Sequence, residues 1–222
     1  MTKRLNLREL LNFYDYRASS SVGHASSVNA VIGEEFAVAL LCHYFSSFGY
    51  NVIALDQPCT QGTNSGHRLD KWISITSADE KVIFQVEIKN WSSHSLNSEI
   101  VRHDGDEGYM RELRLRRWKF QFNETERIPS QKASQKVLTK MRIPNEYAKF
   151  EHKALMCFWE PLHSSGDNAA LFEVSVKSES FKKLTVFSMS NYVSLLLKHT
   201  EYLEVELAAA DARIDWLNKL YS

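Results

Sequence analysis

Two neighbouring stretches decide the fold: RLDKWISIT (residues 68–76) and KVIFQVEIKNW (residues 81–91). Both are rich in β-branched and aromatic residues, and the short polar turn SADEK joins them. That pattern predicts two antiparallel strands in a hairpin. In the second strand Val82, Phe84, Val86 and Ile88 fall on one face. Glu87 and Lys89 are two apart and fall together on the other. Asp70 reads as part of the first strand. A carboxylate and an ammonium inside an apolar β-run are costly to bury unless they pair or bind something.

Upstream, VNAVIGEEFAVALLCHYFSSFGY (28–50) reads as the clearest helix. Glu34, Val38, Leu41, Phe45 and Phe48 are assigned to one face, with Gly49 as its stop. Ser26, Ser27 and Asn29 are candidate N-caps. NVIALDQP reads as a strand closed by Pro58. Residues 5–17 read as a short helix.

Downstream, SQKASQKVLTKM (130–141) reads as a helix and KALMCFWEPL as a buried strand. LFEVSVKS is expected beside that strand. LTVFSMS reads as a further strand, and NYVSLLLKH as a helix begun at Ser190 or Asn191. The terminal TEYLEVELAAADARIDWLNKLYS reads as one polar helix with Leu203, Leu207, Ala210, Ile214 and Leu217 as its stripe. These elements predict a single α/β domain over 1–222 with a mixed central sheet flanked by helices.

The chain carries 27 basic and 27 acidic side chains. No global charge attracts nucleic acid, so any such interface has to be a local basic patch. RELRLRRWKF (111–120) offers one, with Arg114, Arg117 and Lys119 beside Trp118; a solvated helix face is the competing reading. Cys42, Cys59 and Cys157 are odd in number and far apart, which argues against a disulfide framework and for a reducing cytoplasm. Cys42 and Cys157 sit in apolar runs and read as core. With no long apolar segment, neither a signal peptide nor a membrane partner is expected.

Carboxylates such as Asp70 and Glu87, with Lys89 alongside, suit a divalent ion. Mg²⁺ takes oxygen ligands and uses one or two carboxylates with water and substrate oxygens. The backbone carbonyl of Ile88 is a further candidate ligand. Lys89 is placed to orient or deprotonate an attacking water and to offset phosphate charge.

Asp70, a spacer of 16 residues, then Glu87-Ile88-Lys89 resembles the Asp…Glu-x-Lys motif of the PD-(D/E)XK nuclease superfamily. Leu69 stands where the family's name places proline. The resemblance covers about residues 28–160, with residues 161–222 completing or extending that core. It implies a restriction-endonuclease-like fold, Mg²⁺ or Mn²⁺ as cofactor, and DNA as the substrate, with RNA as the alternative. It also implies a metal-facing Glu on the helix before the sheet, for which Glu34 is the candidate and Glu35 its rival. A Gln or Lys on a later helix would match Gln135 or Lys136, and Gln131 more distantly. Many such nucleases work as homodimers.

Competing patterns are present. Asp79-Glu80-Lys81 lies in a turn, and Glu151-His152-Lys153 lacks an upstream Asp strand. Glu34 and Glu35 also suit the first turn of a helix, where the dipole favours acids. A cross-strand ion pair on a solvated sheet face is the plain alternative for Glu87 and Lys89. His94 and the group His103, Asp104, Asp106 and Glu107 read as loop residues. A binding module that keeps the fold without cleavage is the second functional class.

Overall fold

The computed structural model describes residues 2–14, 32–55, 70–78, 80–89, 95–96, 99–100, 137–140, 145–159, 169–176 and 178–220. In chain order the strands are β1 (Thr2–Asn6), β2 (Asn51–Leu55), β3 (Lys71–Thr76), β4 (Lys81–Lys89), β5 (Ser95–Leu96), β6 (Glu99–Ile100), β7 (Glu151–Phe158), β8 (Leu171–Ser175), β9 (Lys183–Ser188) and β10 (Tyr202–Glu206). The helices are α1 (Leu7–Tyr14), α2 (Glu34–Ser47), α3 (Met189–Leu196) and α4 (Ala208–Leu220).

Six strands form a mixed sheet in the order β2-β3-β4-β7-β9-β8. The hairpin read from residues 68–91 supplies its second and third strands: β3 and β4 pair antiparallel, with Lys71 opposite Val86 and Thr76 opposite Lys81. At the turn, Ser77 N–H donates to the Glu80 carbonyl at 2.8 Å. β4 pairs parallel with β7, β7 parallel with β9, and β8 antiparallel with β9. The chain is therefore α/β, as expected.

Both faces of the sheet are covered. On one, Phe84, Val86 and Ile88 of β4 pack with Leu40, Leu41 and Phe45 of α2, with Leu7 and Leu10 of α1, and with Leu203 and Val205 of β10. On the other, Ile83 packs with Trp72, Met156, Val137, Leu138 and Phe181. Among the described residues no helix is long and apolar enough to cross a membrane.

Several elements differ from the sequence reading. Residues 2–6 are a strand, with α1 beginning only at Leu7, where Asn6 Oδ1 accepts the Glu9 N–H at 3.0 Å. The buried stripe of α2 is Ala37, Leu40, Leu41 and Phe45, while Glu34 is exposed and Phe48 is 65% exposed. The helix does stop at Gly49, whose φ of 83° suits glycine. α3 is capped by Ser188, whose Oγ accepts the Asn191 N–H.

The expected terminal helix is divided. Residues 202–206 are β10, because buried Leu203 and Val205 alternate with exposed Tyr202, Glu204 and Glu206. This is a strand period, not a helix period. β10 pairs antiparallel with β1 as a separate ribbon, Thr2 opposite Glu206. Ile214 is exposed on α4. Finally, β8 is not the neighbour of β7. The more apolar β9 takes the inner position, and half-buried β8 becomes the edge.

Candidate functional site

The site is set by where β3 begins and β4 ends. β3 starts at Lys71, opposite Val86, yet β4 runs on to Lys89. Asp70 therefore sits one residue before its strand, where the next step of the register lies opposite Glu87. The main-chain N–H of Ile88 has run past the last β3 partner. It donates instead to Asp70 Oδ2 at 2.7 Å. The aspartate thus extends the ladder by one bond, with its carboxylate carrying the acceptor that a carbonyl would otherwise supply. Bonds to a charged acceptor are the stronger kind.

Glu87 is 1% exposed. It does not lie on a solvated face, because the second core covers its side of β4. Its register partner on β7 is Met156, and Ile88 faces Cys157. Gln85, on the same face, is 0% exposed. It opposes Trp72 on β3 and Ala154 on β7. Gln85 is the residue that motif reading passes over. The cost of burying an unbonded amide is the signal that marks it.

Two thiols register the nearby charge. Burial pushes the Cys157 thiol well up, and the neighbouring Cys42 and Asp70 push it further in the same direction. Cys42 is raised to about 11 by burial, against a smaller opposing pull from Lys71. Cys157 lies in the core, as read, and Cys42 is partly buried against it.

The remaining candidates are placed differently. Glu34 and Glu35 occupy the first turn of α2. That helix turns at Gly49 into β2, which runs back along it, so α2 starts at the sheet end where β2 finishes and β3 begins. Glu34 therefore shares that end with Asp70, but α2 packs on the face opposite Glu87. Among the described residues no three His, Cys, Asp or Glu side chains form a group able to hold a metal ion. Lys89 closes β4, its backbone paired with Phe158. Its side chain, Gln131, Gln135, Lys136, Arg114, Arg117, Lys119, His94 and the 103–107 group lie outside the described residues.

Asp70 and Glu87 stand at the ends of adjacent strands, and carboxylate oxygens are of the type a hard cation takes. No protein-family model, curated protein or solved structure matches the chain.

Proposed function

We propose that the chain is a metal-dependent endonuclease of the PD-(D/E)XK type, with a restriction-endonuclease-like core that hydrolyses DNA phosphodiester bonds with Mg²⁺ or Mn²⁺. The observation that carries the reading is the Asp70 carboxylate, fixed by the Ile88 N–H at 2.7 Å at the next register step beyond Lys71 and Val86, opposite buried Glu87. In an extended strand both backbone polar groups of one residue point to the same neighbour. The Ile88 carbonyl is therefore turned to the side where Asp70 sits. Asp70, Glu87 and that carbonyl would hold the ion, which supplies charge neutralisation on the phosphate and activation of water.

Lys89 is assigned the proton of the attacking water, and Glu34 a supporting acid at the same sheet end. Arg114, Arg117 and Lys119 are the proposed backbone-phosphate contacts. Gln135 and Lys136 are proposed to lie near the cleavage site.

The near-complete burial of Glu87 favours one alternative: a nucleic-acid- or protein-binding module that keeps the fold without cutting. One experiment separates the two. Purified protein is incubated with supercoiled plasmid and with labelled DNA and RNA oligonucleotides in Mg²⁺, Mn²⁺ or EDTA. The parent is expected to cut DNA with either metal and not in EDTA. Lys89→Ala and Asp70→Asn are expected to lose cleavage while remaining folded, since the amide introduced by Asp70→Asn keeps an oxygen for the Ile88 N–H. Cleavage by either variant at the parental rate, or none by the parent in any metal, sinks the nuclease reading.

A further inference from the structure

Gln85 stands at the middle of the sheet, between Phe84 and Val86, with its side chain wholly buried. Its Nε2 donates to two main-chain carbonyls, those of Val137 and Thr139, the latter at 3.0 Å. These belong to a stretch where the chain leaves a helix: Val137 is helical, and Leu138 and Thr139 are not. A carbonyl at a helix end has no partner within the helix; Gln85 takes that of Val137, and with it the carbonyl of Thr139 two residues on. The carbonyl between, that of Leu138, accepts from Ser178 Oγ at 2.7 Å.

Two anchors of different origin thus grip the same three residues. Ser178 belongs to the segment between β8 and β9. Gln85 belongs to β4, on the face of Glu87 and about 7 Å from it along the strand. Val137 and Leu138 are buried on that face in one core with Met156, and Met156 is the β7 residue opposite Glu87.

We propose that Gln85 is a positioning residue for the Asp70–Glu87 site: by clamping residues 137–139 onto β4 it fixes the cover beneath which the Glu87 carboxylate is held. This rests on the nuclease reading above. Gln85 touches neither substrate nor ion. It acts through Glu87, as outer residues around a metal ligand do, and the loss of such residues weakens metal use by roughly 10- to 100-fold.

The test compares Gln85→Met, which keeps the volume and loses both donated bonds, with Ser178→Ala, which releases the neighbouring anchor on Leu138 together with the bonds Ser178 Oγ accepts from the Ser180 and Phe181 N–H groups. Full-length parent and variants are titrated with Mn²⁺, following oligonucleotide cleavage and, separately, Mn²⁺ binding by calorimetry. Both variants are expected to melt at lower temperature. Only Gln85→Met is expected to need about tenfold or more additional Mn²⁺ for half-maximal cleavage, with KM for the oligonucleotide unchanged. If Gln85→Met does not accumulate folded, Gln85→Asn, which keeps the amide on a shorter stem, takes its place.

An equal shift in the two variants, or a shift in neither, reduces Gln85 to a structural staple and overturns the proposal. A parent that neither binds Mn²⁺ nor cuts overturns the nuclease reading itself, and the proposal falls with it.

Discussion

A thiol packed among aliphatic side chains ionises reluctantly, because the thiolate loses its hydration. Cys42, raised to about 11, and Cys157, raised well above the usual thiol value, are in that condition. At pH 8 in the native state both are expected to resist iodoacetamide, and to react fully once the chain is unfolded. Peptide mapping by mass spectrometry checks each cysteine separately. Rapid native-state labelling of Cys157 would contradict its burial. The packing of Cys157 in the core and of Cys42 against it was legible because each sits in an apolar run. That Asp70 falls at the start of one strand and Glu87 near the end of the next was legible from spacing and alternation. Gln85 was not: its bonding partners are backbone carbonyls 52 and 54 residues away, and no local pattern announces such a contact. The exposure of Glu34 was equally hidden, since spacing places a residue on a stripe without saying which stripe is buried.

At the level of elements, α2 shows how that ambiguity arises. Its apolar residues run almost unbroken from Phe36 to Cys42, so the helical period is weakly marked and neighbouring stripes compete. The structure buries Ala37, Leu40, Leu41 and Phe45. β10 failed for a different reason. TEYLEVEL alternates with a period of two, yet it runs straight into a helix-forming sequence. The strand forms because β1, distant in sequence, is there to pair with it.

The contact between α2 and α3 carries a pH consequence. His43 Nδ1 lies 2.6 Å from Tyr192 Oη, and burial lowers the His43 pKa from its usual 6.5. The neutral ring is the form the fold favours. Between its lowered value and 6.5 the unfolded chain binds more protons, so stability is full above pH 6.5 and declines as pH falls through that window. His152 shifts in the same direction, again chiefly by burial. Melting temperature is therefore expected to drop between about pH 7.5 and about pH 5.5, and His43→Gln to lessen the drop. An identical pH profile in parent and variant would remove His43 as a contributor.

For the molecule as a whole, the α/β class and the β3–β4 hairpin were readable because both depend on short-range patterning. The strand order was not. The parallel pairings β4–β7 and β7–β9 join segments that do not follow one another directly in the chain, and periodicity says nothing about which strand lies beside which. The ribbon of β1 and β10 is the longest-range pairing of all, closing Thr2 onto Glu206. Its geometry has a mechanical meaning. Tension applied at those two residues enters the ribbon from one end and parts its hydrogen bonds in succession, like a zip. Between parallel β4 and β7, tension along the strands loads many bonds at once. With handles at residues 2 and 206, an optical-tweezer record is expected to show the ribbon yielding first, at low force, and the six-stranded sheet rupturing later at higher force. A single simultaneous rupture would mean that ribbon and sheet bear load as one unit. The expected order makes the ribbon a mechanical fuse, one that gives way before the strands carrying Asp70 and Glu87 are strained.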